Sequence, residues 1–386
     1  PLGVTATNGR TVIIAASREA KKRGVKSPSR TFEALQICPE MQFTGAHFRE
    51  YSEISKKFIK ICTQYSPFVE VFSMDELFMD ITQTVKLFGG IDQLIRTLKS
   101  QIQQEIGEYI TVSIGISHNK ILAKLASGMN KPDGTYRITK ENLDDVYKKV
   151  ELTDICGIGP RIEKRLNSMG VYHLLSLRHL HFSQLVSEFG PVEAAFLQHV
   201  AWGDDETPVV HFGNAPQAKS VGRNYSLPHN EYDQRVILQH MYELCEEVSL
   251  KLRRLNKKAK TVGMSLRGDI SFSGYSHLPV YSFLGRDLFE GCLRLYKKWE
   301  WGENEYMLRQ ISLWAQNLSW EEALPLSLFD IGSKRETIQQ TVDKLNDRFG
   351  DHTIRNGFLL YGAKLTTVPN GFGADRLERK EIAKLY

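Results

Sequence analysis

The chain is poor in cysteine and has no long apolar run. It holds five cysteines among 386 residues, an odd and widely spaced set without a Cys-x-x-Cys pair, so neither a disulfide framework nor a zinc knuckle is expected. A reducing, cytoplasmic compartment is the simplest one for such a set. No stretch of about 18 consecutive apolar residues predicts a membrane-spanning helix, and residues 1–10 lack the apolar core of a signal peptide. These absences exclude membrane-spanning and disulfide-rich secreted proteins.

Internal repeats and low-complexity tracts are absent as well. The hydrophobic fraction of 41% and the charged fraction of 25% are ordinary for globular proteins, and the length predicts two to four domains of about 100–200 residues each. The net charge is only +5, but residues 251–260 (KLRRLNKKAK) hold six cations and no acid. Such a run can bind phosphate groups; a solvated helix end is the alternative.

Hydrophobic periodicity predicts an α+β protein of several domains. A short polar helix is predicted over 17–23, and apolar residues at helical spacing predict one over 47–65. Further helices are predicted over 90–106, 119–129, 232–255 and 337–349. β-rich runs predict strands over 10–16, two within 67–81, then 111–116, 261–267 and 309–315. Residues 151–200 read as all-helical. Residues 203–218 lose the periodicity and carry two prolines, which predicts a linker.

Asp75 and Glu76 lie between two short β-rich runs. Neighbouring carboxylates at the end of a hairpin repel each other unless a cation neutralises them. Mg²⁺ prefers one or two carboxylates together with substrate phosphates, and two such ions support phosphoryl transfer. A solvent-facing turn without any function is the alternative for this pair.

Residues 113–134 (SIGISHNKILAKLASGMNKPDG) predict a strand that leads directly into a helix. The helix on its own is an ordinary amphipathic element. Lys131, however, lies between Asn130 and a Pro-Asp-Gly turn, where its ammonium group can reach a phosphate as a point charge.

Residues 156–171 match the pattern of a helix–hairpin–helix. Gly157, Ile158 and Gly159 form the short turn, and Arg161 and Lys164 follow it. A glycine turn lets backbone N–H groups approach a DNA phosphate, and the N-terminus of the next helix favours the same anion. Plain helix capping is the alternative. Together with the carboxylate pair, the lysine turn and the basic run, this pattern indicates a metal-dependent nucleotidyl transferase that acts on DNA.

These motifs resemble those of Y-family DNA polymerases of the DinB/UmuC type. FSMDELFMDIT (72–82) is similar to the family's S-[IL]-D-E-A-[FY]-x-D motif, and residues 113–134 are similar to its Lys-Pro-[Asn/Asp]-Gly motif. ICGIGPRIEKRLNSMGV (155–171) resembles the thumb hairpin, and KSVGRNYSLP (219–228) resembles the start of the little finger. The resemblance covers roughly residues 1–330.

The resemblance implies a right-hand polymerase that adds dNTPs opposite damaged template bases with two Mg²⁺ ions. It implies a monomer that binds primer-template DNA, located in the cytoplasm and at the nucleoid if the host is bacterial. The implied domains are fingers at 1–47, palm at 48–138, a helical thumb at 139–205, a linker at 206–218, an α+β little finger at 219–320 and a tail at 321–386.

The resemblance also implies roles for particular residues. Asp75 and Glu76 resemble catalytic metal ligands, whereas Lys131, Lys21 and Arg18 resemble contacts of the nucleotide triphosphate. Arg18 stands where an aromatic residue is usual. The predicted DNA contacts have three sources. The hairpin pattern gives Gly157, Ile158, Gly159, Arg161 and Lys164, the resemblance to the start of the little finger gives Lys219 and Arg223, and the basic run gives Arg253, Arg254, Lys257, Lys258 and Lys260.

Two departures from the family pattern concern the ends of the sequence. The family's first strand carries a further metal-binding aspartate and the steric gate, and we expect that strand to precede Pro1. LPLSLFD (324–330) resembles a sliding-clamp peptide through Leu326, Leu328 and Phe329, although Pro325 stands where glutamine is usual. An apolar loop anchor is the alternative for this segment.

Two other functions are compatible with parts of this pattern. A non-catalytic DNA-binding relative could act as an adaptor in damage tolerance, although clustered carboxylates near DNA would repel phosphates. A different Mg²⁺-dependent DNA enzyme, such as a nuclease, lacks support from any second carboxylate cluster in the sequence.

Overall fold

The computed structural model describes residues 1–5, 12–211, 218–301, 303–304, 306–320, 333–350 and 353–359. The described residues divide into two compact units. One consists of Pro1–Ala46 together with Pro216–Asn370, and the other contains His47–Ala215.

The N-terminal part of the first unit is a small sheet with two helices. Its strands are β1 (Leu2–Thr5), β2 (Val12–Ala16), β3 (Ser29–Arg30) and β4 (Gln42–Gly45), in the order β3-β2-β1-β4. Its helices are α1 (Arg18–Lys22) and α2 (Thr31–Ile37). Ser17 caps α1 by accepting a hydrogen bond from the Ala20 N–H. The predicted strand and the helix after it are therefore confirmed.

The second unit begins with a helix, which packs with a later helix on a β-hairpin. Its strands are β5 (Phe68–Val71) and β6 (Leu77–Asp80), which are antiparallel, and β7 (Ile114–Ile116) and β8 (Thr135–Arg137), which are parallel. Its first helices are α3 (Phe48–Cys62), α4 (Ile91–Glu105) and α5 (Lys120–Met129). Buried apolar residues of α3 and α4 form one core with the underside of the hairpin. All three predicted helices are confirmed.

The rest of this unit is helical, as predicted. The helices are α6 (Leu143–Tyr147), α7 (Pro160–Ser168), α8 (Leu174–Leu177), α9 (Phe182–Phe189) and α10 (Pro191–Trp202). Leu122, Leu125 and Ala126 of α5 belong to the same buried core as these helices. The helix that carries the lysines of the second motif is therefore anchored on its apolar side.

The C-terminal part of the first unit is a four-stranded antiparallel sheet. Its strands are β9 (Ser220–Glu231), β10 (Lys257–Gly268), β11 (Ser271–Ser282) and β12 (Leu308–Trp320), in the order β11-β10-β12-β9. Helices α11 (Gln234–Arg254) and α12 (Gly285–Lys298) pack on it, and α13 (Ser333–Phe349) follows. The predicted helices over 232–255 and 337–349 are confirmed, whereas β9, β11 and α12 were not predicted. Within the described residues, no helix is long and apolar enough to cross a membrane.

Candidate active site and nucleic-acid surfaces

A tight turn at the end of the β5–β6 hairpin presents the two predicted carboxylates. The N–H groups of Phe72 and Ser73 both donate to the Glu76 carbonyl at 3.0 Å, which closes the turn. The Ser73 hydroxyl donates to Asp75 Oδ1 at 2.6 Å. Asp75 is exposed at the tip, and Glu76 begins the return to β6. Two consecutive carboxylates are therefore fixed at one end of a rigid hairpin.

Helix α5 supplies cations to the outer face of this hairpin. Lys124 Nζ donates to Glu76 Oε2 at 2.7 Å and lies 4.7 Å from the centre of the Phe72 ring. One turn earlier, Lys120 Nζ donates to Glu70 Oε2 at 2.9 Å. Positions i and i+4 share one helix face, so a single face of α5 pairs with two carboxylates.

A glycine explains how α5 comes so close to the strands. A Cβ atom built on Gly115 of β7 would lie 1.9 Å from the Ala123 carbonyl oxygen and 2.3 Å from the Ser127 nitrogen. No side chain fits between this strand and the helix. At its start, α5 is capped by Asn119, whose side chain accepts from the Leu122 N–H at 2.9 Å. Both features fix the position of Lys124.

The carboxylate pair fits a divalent cation. Asp75 and Glu76 offer hard oxygen donors, which such ions prefer, and the Lys124 ammonium already occupies a cation position beside Glu76. Among the described residues, no group of three or more His, Cys, Asp or Glu side chains is suitably placed to hold a metal. Asp75 and Glu76 are the described residues that would contribute oxygen ligands to such an ion.

The predicted triphosphate contacts lie on exposed elements. Lys131 is exposed in a turn where Asp133 has φ 51° and where Lys99 Nζ lies 3.1 Å from Asp133 Oδ1. Arg18 and Lys21 are exposed on α1, three residues apart and so on one side of that helix. They belong to the other compact unit.

The structure of the turn before α7 corrects one of the predicted DNA contacts. Ile158 is 3% exposed in the helical core, and its N–H already donates to the Ile155 carbonyl at 3.0 Å. It anchors the turn, so the prediction of a DNA contact at this residue is wrong. Gly157 has φ +112°, and its Cβ would lie 2.4 Å from Phe196, whereas nothing lies within 4 Å of a Cβ at Gly159. The backbone at Gly159 is therefore open to a phosphate, next to exposed Arg161 and Lys164.

The structure also corrects the prediction of an open basic surface. Arg223 and Glu247 form an ion pair at 2.5 Å, and both side chains are 12% exposed. The Arg253 side chain is 9% exposed and pairs with Asp343, while Lys258 pairs with Glu336 at 2.8 Å.

The remaining cations of the predicted set differ in their exposure. Lys257 is buried, and Lys260 donates to the Pro279 carbonyl at 2.7 Å. Lys219 and Arg254 are exposed. Most of the cations that the sequence assigned to DNA are therefore already paired with other groups of the protein or buried.

Comparisons with known proteins agree on one family. Residues 1–128 match the impB/mucB/samB family, and residues 218–328 match the impB/mucB/samB family C-terminal domain. DNA polymerase IV of Pelotomaculum thermopropionicum is 30% identical over 351 residues, which cover 89% of this chain and 84% of the relative. DNA polymerase IV of Sulfurisphaera tokodaii is 31% identical over 266 residues, 68% of this chain and 74% of the relative.

The chain belongs to the Y family of DNA polymerases. A solved Y-family DNA polymerase chimera has the same fold, with a TM-score of 0.69 at 24% identity over 82% of this chain and 91% of its own. The resemblance derived from the motifs and the predicted α+β right-hand class are confirmed.

One surface of the C-terminal sheet was not predicted from the sequence. Helices α11 and α12 contact one side of the C-terminal sheet, through Arg223 with Glu247 and through Arg294 with Ser276. Side chains alternate along a strand, so the other side, here called the open face, carries the intervening residues. They are Gly222, Asn224, Ser226, Thr261, Gly263, Ser265, Arg267, Ser273, Tyr275, His277, Ser312, Trp314 and Gln316.

The open face is mostly polar, and two of its polar residues, Thr261 and Ser265, are buried. Tyr275, Gly263, Trp314 and Gly222 lie in one row across four strands. The Trp314 ring covers Gly263, where a Cβ would lie 2.1 Å from it. Hydroxyl and amide side chains surround this row. Alternating serine, glycine and asparagine on the strands is the sequence signal that could have found it.

The predicted clamp-binding residues Leu326, Leu328 and Phe329 lie outside the described residues.

Proposed function

We propose that this chain is a translesion DNA polymerase that extends a primer opposite damaged template bases. The observation that carries the proposal is the hairpin turn that holds Asp75 and Glu76 beside the cationic face of α5. Membership of the Y family supports the reaction class. The location in the cytoplasm, the monomeric state and clamp binding stay predictions.

Each part of the site has a role that its chemistry suits. Asp75 and Glu76 would hold Mg²⁺, which when bound stabilises negative charge on the reacting phosphate. Lys131, Arg18 and Lys21 would contact the triphosphate of the incoming dNTP as cations. Helix α5, fixed by Gly115, keeps Lys124 and the hairpin in register, so the carboxylates are positioned before the substrates arrive.

The primer-template DNA would contact two surfaces without base specificity. The Gly159 N–H and the first N–H groups of α7 after Pro160, with the Arg161 and Lys164 side chains, would offer a phosphate site at the start of α7. The open face offers hydroxyl and amide donors with Arg267, and Lys219 lies at the start of β9. Phosphate contacts of this kind fix the register of the duplex but do not read its sequence. A polymerase that copies damaged templates requires such indifference to sequence.

Primer extension by Asp75→Asn and Glu76→Gln variants of the full-length protein tests the proposal. Both variants lose a metal-binding charge, so extension across an abasic site and on undamaged template should fall about 100-fold or more. DNA affinity should be equal or slightly higher because phosphate repulsion is reduced. Asp80→Asn is the matched control, since Asp80 is exposed on the same hairpin and its carboxylate accepts from the Thr82 N–H.

Full activity in either active-site variant would disprove the metal assignment. DNA binding by the unmodified protein without any extension would favour the adaptor function instead.

A further inference from the structure

Three acidic residues of α13 meet the cations that the sequence assigned to DNA. Asp343 forms a two-pronged contact with the Arg253 guanidinium, with 2.8 Å between Arg253 Nη2 and Asp343 Oδ1. Glu336 accepts from Lys258 Nζ with both carboxylate oxygens, at 2.8 and 3.0 Å. A third pair, Arg254 with Asp347, is longer at 3.9 Å and exposed.

The arrangement of these pairs resembles the binding of a polyanion. The cations come from the end of α11 and the start of β10, which are adjacent in the chain. Their partners at positions 336, 343 and 347 are spaced by seven and four residues, so they lie on one face of α13. A fork of two hydrogen bonds from arginine suits carboxylate and phosphate equally well.

Helix α13 is held at the edge of the domain without a core of its own. None of its described side chains is buried, and Ile338 and Phe349 are 63% and 61% exposed. Four further cations, Lys334, Arg335, Lys344 and Arg348, are also exposed on it. Elements with few buried apolar contacts open at low free energy, so α13 is suited to reversible release.

A separate anchor would keep the segment on the domain after such a release. The Phe358 ring packs against Tyr242 and Phe289, with ring centres 5.6 and 6.0 Å apart. Asn356 Nδ2 donates to the Tyr242 hydroxyl at 2.9 Å. These contacts involve no charge, so they would persist when the ion pairs of α13 open.

We propose that Arg253, Arg254 and Lys258 form a second binding surface for nucleic-acid phosphates, which α13 covers with its carboxylates. Phosphates of bound DNA compete with Glu336 and Asp343 for the same cations. The proposal rests on DNA being the substrate of this chain, and it adds a surface distinct from the open face and the thumb hairpin.

A pair of charge-matched variants of the full-length protein tests this surface. Glu336→Gln/Asp343→Asn removes two negative charges from α13. Glu290→Gln/Glu300→Gln removes two negative charges from exposed positions of the same domain, and Glu290 pairs with Arg286 one turn away on α12. Affinity for a fluorescent primer-template duplex is measured by anisotropy over a series of salt concentrations.

The first variant should bind about tenfold more tightly at low salt, with a log–log salt slope steeper by roughly two. The control should change by less than about twofold. Equal affinities of the two variants would overturn the proposal.

Removal of the cations supplies an independent readout. Arg253→Gln/Lys258→Gln should weaken DNA binding by the otherwise unmodified protein only about twofold to threefold, because the loss of the phosphate contacts is partly offset by the loss of the competing ion pairs to α13. In the Glu336→Gln/Asp343→Asn background it should abolish the gain in affinity. Hydrogen exchange over 333–349 in the unmodified protein should increase when DNA is added.

Unchanged exchange over α13 on DNA binding would also overturn the proposal, even if the acidic variant failed to fold. Primer extension depends on Asp75 and Glu76 of the hairpin and not on the ion pairs of α13, so its success or failure tests the polymerase function separately.

Discussion

Replacement of Lys124 by methionine tests whether the Lys124 ammonium group occupies the position of a metal ion beside Glu76. Lys124 Nζ lies 2.7 Å from Glu76 Oε2. A divalent ion that binds Glu76 must displace this ammonium group or tolerate its repulsion. The variant removes the competing charge, which also lies 4.7 Å from the centre of the Phe72 ring, and keeps most of the aliphatic stem of the side chain. We therefore expect it to bind divalent ions more tightly than the unmodified protein.

The size of the effect follows from the geometry. Two unit charges 2.7 Å apart attract by about 1.5 kcal/mol in a medium with the dielectric constant of water. The Glu76 side chain is 41% exposed, so solvent screening and side-chain entropy reduce this to about 1 kcal/mol. That free energy corresponds to an affinity about fivefold higher.

Titration with Mn²⁺, followed by electron paramagnetic resonance or calorimetry without nucleotide, measures this affinity directly. Lys120→Met is the matched control, because Lys120 lies one turn earlier on α5 and pairs with Glu70, away from the turn. The control should bind Mn²⁺ as the unmodified protein does. An equal effect of both substitutions, or no tightening with Lys124→Met, would refute the idea that Lys124 occupies the cation position.

Three further predictions concern folding and DNA binding. Gly115→Ala places a Cβ 1.9 Å from a backbone oxygen of α5 and should lower the free energy of unfolding by about 3 kcal/mol. Gly128→Ala on the same helix meets nothing within 4 Å and should raise it by about 0.5–1 kcal/mol; similar denaturant midpoints for the two would contradict the packing. Gly159→Ala should leave the melting temperature unchanged and weaken duplex binding by about threefold or more, and unaltered binding would exclude this backbone as a phosphate contact. The pKa of His240 lies below its ordinary value because burial disfavours the charged form, and nearby Glu231 only partly opposes this shift. The unfolded chain therefore takes up this proton first, so stability falls as the pH drops below about 6.5, by at most about 1.4 kcal/mol per pH unit. His240→Gln should flatten that part of the stability profile, and an unchanged acid slope would show that other groups cause it.

The carboxylate hairpin and α5 were predictable because their signals are local. Two β-rich runs around Asp75-Glu76 determine a hairpin, and apolar residues at helical spacing determine α5. The pairing of Lys124 with Glu76 was not predictable, because it depends on how closely Gly115 lets the helix approach the strand. That approach is a property of packing, to which residues 48 positions apart contribute.

The basic run at 251–260 is the opposite case. Its positive charge was clear from the composition, but whether its side chains face solvent or pair within the protein was not. Six cations within ten residues indicated a phosphate surface. The partner of Arg253 lies 90 residues further along the chain, so no local pattern could show that Asp343 occupies it. In the same way, the alternation along β9 and β12 became informative only when α11 and α12 were seen to pack on one side of the sheet.

The two surfaces of the C-terminal domain would bind DNA by different physics. The open face offers mainly neutral donors with Arg267, so contacts there release few counterions and depend weakly on salt. The surface under α13 is cationic, and binding to it depends strongly on salt once α13 moves away. A polymerase with both surfaces could bind a sliding template through neutral contacts, and could bind it more tightly when phosphates displace Glu336 and Asp343. The salt dependence of DNA binding by Glu336→Gln/Asp343→Asn and by its control Glu290→Gln/Glu300→Gln therefore separates the two contributions. Only exposure of the cationic surface should change the slope of affinity against salt concentration.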